Sequence, residues 1–353
     1  MYLVIAILMF GFLIFIHEFG HFITAKLFDV KVNEFSIFMG PRLLHWGKGE
    51  TEYSLRLFPV GGYCAMEGED GSSSDPRSFT AKAAWKRVII LAAGAGMNFL
   101  AGILILILIY AGTAGFRTTE VTGFIDGCEL QGEAGLQVGD VIREIDGKKI
   151  YIFTDFSMIL ERTDEGNMEV VVERDGEERT LTLDMTKRDF VIDGETQHIY
   201  GLQFQGIRKN SVAADIQNAW LTAIDFGRMV RWGLFDLLTG NAGLSDMSGP
   251  VGIVDTIQDT GKSAESTGEG ILNVLYFCAF IAVNLAFMNM LPIPALDGGH
   301  IFFLLVTLLI EKIIRRKVNP KYEAYIHMAG LIILLGLMLL VTFQDISKII
   351  VGG

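Results

Sequence analysis

The 353-residue sequence is poor in cysteine and has no excess of positive charge. Its three cysteines, Cys64, Cys128 and Cys278, are far apart and odd in number, so they indicate neither a disulfide framework nor a zinc-binding cysteine motif. Lys and Arg total 29 against 41 Asp and Glu, a formal net charge of −12, which argues against nucleic acid as a partner. Residues 2–16 contain no charged side chain, which points to a membrane rather than to water.

Long apolar runs are what the sequence has instead. The mean hydropathy is +0.41, and four stretches approach the roughly 20 apolar residues that cross a bilayer. These stretches are residues 2–24, 88–110, 271–296 and 326–343. The first is not expected to be a cleaved signal peptide, because no Lys or Arg precedes it. We therefore predict a polytopic α-helical membrane protein with four transmembrane helices.

The first stretch carries the pattern HExxH. His17 and His21 are four residues apart, which places both imidazoles on one face of a helix, where they can bind one metal ion. Glu18 is close enough to take a proton from a water molecule at that metal. A bare HExxH pattern often matches by chance on solvated helices. Inside a membrane helix, however, ionisable side chains are costly and indicate function, so the sequence predicts a metal site.

The third stretch contains the sequence NMLPIPALDGGH at 289–300. Its prolines and glycines interrupt the helix at membrane depth, where irregular backbone is tolerated only beside protein or a water-filled cavity. Asp297 is the one acidic residue of this run. A catalytic zinc takes three protein ligands and keeps an open position, so we predict His17, His21 and Asp297 as the ligands. His300 competes for that role and is expected to be supporting or structural.

Basic residues predict the orientation in the membrane. They cluster after the third stretch and just before the second, and both places are therefore expected to be cytoplasmic. They are Lys82, Lys86, Arg87, Lys312, Arg315, Arg316, Lys317 and Lys321. The N-terminus, the segment from 113 to 270 and the C-terminus are then extracytoplasmic, and the metal site lies toward the cytoplasmic side.

Two regions near the predicted site leave alternatives open. Residues 32–63 alternate like strands and predict a hairpin with turns at 40–41 and 47–49. Its apolar, glycine-rich end, from 58 to 63, either dips into the membrane near the metal or is a plain cytoplasmic loop. Asn98, in the second stretch, is either an interhelical hydrogen-bond partner or a group that faces substrate. The small residues before Asn98 would let another helix approach closely.

Residues 121–185 are soluble in character. The run GLQVGDVIREIDG at 135–147 predicts a turn, a strand and an Asp-Gly turn. A helix and two strands are predicted to follow, at 155–162, 168–174 and 179–185. This order resembles a PDZ domain, which binds extended peptides by strand addition.

The predicted organisation has nine segments. In chain order they are 1–28, first transmembrane helix with HExxH; 29–87, cytoplasmic membrane-associated β element and linker; 88–112, second transmembrane helix; 113–190, extracytoplasmic PDZ-like α+β domain; 191–270, extracytoplasmic linker with an amphipathic helix at 211–239 and a sharp turn at 248–253; 271–310, third transmembrane helix with the LDG motif; 311–325, cytoplasmic loop; 326–344, fourth transmembrane helix; and 345–353, tail.

HExxH in the first stretch, a single PDZ-like insert and the NxxPxPxLDGG run together resemble the site-2 protease family of intramembrane zinc metalloproteases, and within it the bacterial regulator-of-sigma-E protease type. The resemblance covers nearly the whole chain. It implies that His17, His21 and Asp297 bind zinc, that Glu18 is the catalytic acid–base, and that Asn289 holds an unwound substrate strand.

The resemblance also implies substrate-binding roles near the metal. Residues 32–63 match the family's membrane-dipping β element, which makes Gly61 and Gly62 candidate substrate-binding residues. Asn98 aligns with the asparagine of the family pattern GPxxN, although Ala95 stands where the family has proline.

The implied function is cleavage, within the cytoplasmic membrane, of single-pass membrane proteins already trimmed on their outer side, such as anti-sigma factors and signal-peptide remnants. The PDZ-like domain either excludes untrimmed substrates or binds the new C-terminus. Two other functions compete. One is a membrane scaffold whose HExxH is inert; the metal content of the protein would distinguish this scaffold from a metalloprotease. A metal transporter would need polar residues along a path across the bilayer, and the outer halves of the predicted helices supply almost none.

Overall fold

The computed structural model describes residues 1–47, 49–69, 73–192, 194–204, 206–209, 211–243, 246–316, 318–319 and 321–351. Lys317, one of the residues that predict the orientation, and residues 70–72 of the predicted linker lie outside the described residues.

The helices are α1 (Tyr2–Leu27), α2 (Ala84–Ala111), α3 (Phe153–Glu161), α4 (Val212–Thr239), α5 (Pro250–Lys262), α6 (Thr267–Asn289), α7 (Asp297–Ile314) and α8 (Lys321–Val351), with a short 3-10 helix at Phe79–Ala81. The strands are β1 (Val32–Trp46), β2 (Glu52–Met66), β3 (Gly115–Arg117), β4 (Gly123–Phe124), β5 (Val141–Ile145), β6 (Lys148–Lys149), β7 (Asn167–Arg174), β8 (Glu177–Asp184), β9 (Arg188–Ile192), β10 (Glu195–Ile199), β11 (Leu202–Gln203) and β12 (Ile207–Lys209).

The chain divides into two compact units. The membrane unit comprises Met1–Leu106 and Phe226–Gly353, and the β-rich unit comprises Ile107–Asp225. Among the described helices, four are long and apolar enough to cross a membrane, as the sequence predicts. They are Val4–Leu27, Ala84–Ala111, Thr267–Asn289 and Lys321–Lys348.

The third of these helices ends earlier than its apolar run. α6 stops at Asn289 and α7 starts at Asp297, so the segment between them is irregular. Pro292 and Pro294 explain the break, because proline lacks the backbone N–H that a helix interior needs and its ring clashes with the preceding turn. The predicted interruption of the helix is therefore confirmed, and it leaves Asp297 at a helix start.

The predicted sharp turn at 248–253 is instead the beginning of α5. Pro250 occupies the first turn of this helix, where its missing N–H has no partner to lose. The carboxylate of Asp345 on α8 accepts hydrogen bonds from the backbone N–H groups of Gly249 and Gly252, at 2.9 and 2.8 Å. An acid distant in sequence thus caps the helix. α5 packs with α1 and α6 through Ala6, Met9, Leu13, Ile257, Val274, Cys278, Ile281 and Ala282.

β1 and β2 form the predicted hairpin, and each strand bends midway. Ile37 pairs with Gly62 on one side and with Leu55 on the other, while Leu44 also pairs with Leu55. Gly47 and Gly49 of the predicted turn at 47–49 lie between β1 and β2, and Lys48 lies outside the described residues. The predicted turn at 40–41 is instead the bend inside β1, where Gly40 has a φ of +90° that glycine adopts without strain.

The hairpin is fixed to the helices of the membrane unit by a compact apolar cluster. Its buried members come from α1, both strands, the 3-10 helix and α2; they are Ala25, Val30, Val32, Phe35, Cys64, Met66, Phe79, Ile90 and Leu91. Burial of about 25 cal/mol per Å² of apolar surface makes such a cluster the main force that holds the hairpin against the helices.

The β-rich unit is built around an antiparallel sheet with the strand order β6-β5-β7-β8. α3 connects β6 to β7, and alternate residues of β7 are buried, as expected for a sheet with one covered face. The Asp-Gly turns at 146–147 and 175–176 have positive φ angles at both residues, the geometry of two-residue hairpin turns. The predicted order of a strand, a turn, a helix and two strands is confirmed.

A buried ion pair ties this sheet to the turn before β5. Arg174 donates to both carboxylate oxygens of Asp140, at 2.7 Å each. Asp140 also accepts from the backbone N–H of Gln137 at 2.8 Å. Burial alone would raise the pKa of Asp140, but the guanidinium and the backbone donor hold that pKa below its usual range.

Candidate active site

α1 brings the two histidines of HExxH together. His17 and His21 are one turn apart, and their Nε2 atoms lie 3.2 Å from each other. His21 is buried, and its Nδ1 donates to the carbonyl oxygen of Ile90 on α2 at 2.8 Å. That hydrogen bond places the proton on Nδ1, so the lone pair of Nε2 is available to a metal ion.

Asp297 reaches the same point from the start of α7. Its Oδ2 lies 3.3 Å from Nε2 of His17 and 3.5 Å from Nε2 of His21. The glycines that follow it allow this position: a Cβ at Gly298 would overlap the backbone of Met290, and one at Gly299 would overlap the carbonyl of Ile293. α7 therefore begins directly against the irregular segment, with Asp297 directed at the histidines.

The three atoms fit a zinc ion. Zinc held tetrahedrally by nitrogen and oxygen at about 2.0–2.1 Å keeps its ligands roughly 3.3 Å apart, and the three separations here are 3.2, 3.3 and 3.5 Å. Oδ2 of Asp297 is buried and has no hydrogen-bond partner within the described residues. A buried carboxylate oxygen without a donor is costly, and a cation bound among these atoms removes that cost.

Asn98 lies against His17. It is only 2% exposed, and its amide is 3.4 Å from Nδ1 of His17. Its Oδ1 has no partner among the described residues. Metal binding at Nε2 of His17 leaves the proton on Nδ1 of the same ring. If the Asn98 amide is turned by about 180°, its Oδ1 accepts a hydrogen bond from that Nδ1–H. This position favours the interhelical hydrogen bond over direct contact with substrate.

Small residues let α2 approach the histidines, as predicted from the sequence. A Cβ at Gly20 would overlap the carbonyl oxygen of Ala93, and a Cβ at Gly94 would overlap the ring of His21. Close backbone approach of this kind is typical of helix pairs in membranes. It also brings the carbonyl of Ile90 within reach of His21.

The hairpin lies beside Glu18. A Cβ at Gly62 would be 3.1 Å from Cγ of Glu18, and Gly61 has a φ of +69° with Met39 close to it. The glycine-rich end of β2 is therefore next to the site. Asn289 is the last residue of α6, at the start of the irregular segment that ends at Asp297.

His300 lies apart from the three predicted ligands. Its ring stacks on that of His327 in α8, with centroids 3.6 Å apart. Sequence reasoning did not identify His327. The signal was present, because a histidine in an otherwise apolar membrane stretch calls for a functional explanation.

Comparison with known proteins extends over nearly the whole chain. The model of peptidase family M50 matches residues 5–337. A protein of Fusobacterium nucleatum, described as a "putative zinc metalloprotease", is 37% identical over 357 residues, covering 98% of each chain. A Clostridium perfringens protein with the same description is 35% identical over 347 residues, again covering 98% of each chain. The regulator of sigma-W protease RasP of Bacillus subtilis is 28% identical over 424 residues, covering 97% of each.

Proposed function

The chain belongs to peptidase family M50, the site-2 protease family, and from this premise we propose that it cleaves transmembrane segments of single-pass membrane proteins whose outer domain has already been removed. Its relatives are named as zinc metalloproteases, and the chain is a zinc metalloprotease with several membrane-spanning helices. The observation that carries the proposal is the convergence of Asp297 from α7 on His17 and His21, which lie with Glu18 on a helix long enough to cross a bilayer.

The chemistry follows from the roles of four side chains. Zinc bound by His17, His21 and Asp297 would polarise the scissile carbonyl and acidify a water molecule at its open position. Glu18 accepts the proton of the attacking water and donates it to the leaving nitrogen. Because Glu18 lies beside Gly62, we place the scissile bond between α1 and β2.

An extended substrate segment can add to the edge of β2. Residues 62–66 pair with β1 on one side, and no other described strand pairs with them. Strand addition would supply backbone hydrogen bonds to a transmembrane helix that has unwound locally. The absence of a side chain at Gly61 and Gly62 lets this end of β2 lie close to Met39 and Glu18, and the amide of Asn289 holds the substrate strand from the end of α6.

The substrates we propose are anti-sigma factors and signal-peptide remnants. The relative from Bacillus subtilis is named as a regulator of sigma-W protease, which supports the first class. We also propose that residues 113–190 form a PDZ-like domain, since a helix stands between β6 and β7 of its antiparallel sheet.

We propose that both termini and this domain are extracytoplasmic, with the active site toward the cytoplasm. The basic residues of the loops support this orientation. Single cysteines at Lys149 and Arg316, in a chain without its natural cysteines, test it: the first should react only from outside and the second only from the cytoplasm.

The proposed function is tested by a Glu18→Gln variant of the purified full chain, reconstituted in vesicles with a trimmed single-pass substrate. The variant should retain zinc and lose cleavage by at least about 10³-fold, because it removes the proton carrier and leaves the ligands. The control is Glu133→Gln, the same change at an exposed acid of the β-rich unit. Activity of the Glu18 variant within about tenfold of wild type excludes Glu18 from this role. A zinc-bound wild-type chain that cleaves nothing favours a transporter, and a wild-type chain that binds no zinc favours a scaffold.

A further inference from the structure

α8 contacts the irregular segment before Asp297 at two adjacent points. His327 accepts a hydrogen bond at Nδ1 from the backbone N–H of Ala295, with a distance of 3.0 Å. One turn later, a Cβ at Gly330 would overlap Pro294. α8 therefore lies directly on the two residues at which the chain turns toward α7.

The backbone at Ala295 needs such support. Ala295 has a φ of +73°, in the left-handed region that residues other than glycine rarely adopt. Conformations of this kind persist only where the surroundings determine them. The hydrogen bond to His327 satisfies the N–H of this residue, which the helical ladder of α7 does not reach, and it fixes the direction in which the chain enters Asp297.

The ring of His327 is itself held in place. It is 8% exposed, and it stacks on His300, which lies one turn after Asp297 on α7. One side chain of α8 thus contacts the residues on both sides of the aspartate. Among the described residues, His300, Glu323 and His327 also have possible ligand atoms within 4.8 Å of one another.

A second metal ion at that group conflicts with the protonation of His327. A neutral imidazole carries one proton, and an Nδ1 that accepts from Ala295 leaves the proton on Nε2. Nε2 then has no lone pair to offer a metal. Nε2 is buried and has no partner within the described residues, so the hydrogen bond from Ala295 is the interaction that sets the role of this side chain.

We propose that His327 is a positioning residue for the zinc site, and that it holds the backbone at Ala295 so that Asp297 meets His17 and His21. The proposal rests on the proposed function, because it concerns the geometry of the same metal site. α8 provides none of the three ligands. By this proposal it nevertheless fixes the position of Asp297, the third ligand.

The test compares two substitutions of nearly equal shape in the full-length, detergent-purified chain. His327→Asn keeps an acceptor oxygen near the position of Nδ1, and His327→Leu removes it. The readouts are the zinc dissociation constant, by competition with a chelator, and the visible absorption spectrum of the cobalt-substituted protein. The control His198→Leu removes an exposed histidine of the β-rich unit.

We expect the Leu variant to bind zinc about 10- to 100-fold more weakly, the usual effect of losing a group that orients a ligand, and to change the cobalt spectrum. The Asn variant should remain within about threefold of wild type and keep the spectrum. Equal behaviour of the Leu variant and wild type overturns the proposal, as does an equal loss in both variants, which would assign the effect to the ring stack.

Two further outcomes are separable. A second metal ion per chain that disappears in the Leu variant would overturn the proposal in favour of metal binding at His327. A wild-type chain that binds no zinc contradicts the proposed function itself and is seen before any variant is compared.

Discussion

Three atoms from two distant parts of the sequence make the site: two imidazole nitrogens of α1 and one carboxylate oxygen of α7. Purified protein should therefore contain about one zinc per chain. His21→Ala should abolish tight zinc binding, and Asp297→Asn should reduce it strongly, because each removes one of the three proposed ligands. Elemental analysis after gel filtration measures this, and full zinc content in the double variant would contradict the assignment of ligands.

The close approach of α2 gives a second prediction at single residues. Gly94→Ala should displace His21, because the added Cβ would overlap its ring. Gly96→Ala should have little effect, because no atom lies within 4 Å of a Cβ at that position. We expect zinc affinity to fall at least about tenfold in the first variant and to stay unchanged in the second. Equal zinc affinities in the two would show that α2 can move away without disturbing the ligands.

Sequence patterns predict the candidate zinc ligands, but they do not predict the residues that contact those ligands or the backbone next to them. HExxH and LDGG are short, local patterns whose chemistry is visible in the letters. Asn98 and His327 contact His17 and Ala295, which are far from them in sequence. A local sequence pattern does not predict which group a side chain will contact across a helix interface. These contacts could therefore be identified only from the structure.

At the scale of elements, we can test whether the buried pair of Asp140 and Arg174 stabilises the β-rich sheet. Asp140→Asn should destabilise the β-rich sheet by about 3 kcal/mol, because it leaves a buried guanidinium without its counter-charge. Glu173→Gln, which removes the exposed partner of Arg143, should cost less than about 1 kcal/mol. Amide hydrogen exchange in β5 and β7 of the full chain measures both, and equal protection in the two variants would contradict the role of the buried pair.

The same pair predicts a pH dependence. Because the folded pKa of Asp140 is below its unfolded value, its stabilising contribution is present above about pH 4 and is lost as the pH falls through the folded pKa. Protection of β5, corrected for intrinsic exchange, should therefore decline on acidification more steeply in wild type than in Asp140→Asn. Parallel profiles would mean that another group dominates.

Elements with a strong internal pattern are predictable, and elements fixed by distant contacts are not. The apolar runs predict α1, α2, α6 and α8 because length and hydropathy decide a membrane span. α5 is missed because Gly249 and Pro250 resemble a turn until Asp345 caps the helix. The double pairing of β1 with β2 is likewise missed, since a strand pattern does not say that the strand will bend.

At the scale of the whole molecule, the pairing of β3 with β12 defines where the β-rich unit can be removed. Arg117 pairs with Ile207, so excision of 118–206 and closure with a short turn keeps both strands of this pair. If the unit filters substrates by size, the shortened chain should cleave untrimmed substrate and still cleave trimmed substrate. Recruitment of a new C-terminus predicts slower cleavage of trimmed substrate and continued resistance of the untrimmed form. Vesicle assays on both substrates distinguish the two, and loss of all cleavage by a folded, zinc-bound chain would contradict the filter.

The distance in sequence between HExxH and Asp297 also affects how the protein is made. The histidines leave the ribosome first, whereas Asp297 follows only after the β-rich unit and α6, and His327 follows later still. A growing chain in the membrane therefore holds only two of the three proposed zinc ligands until α7 has been synthesised.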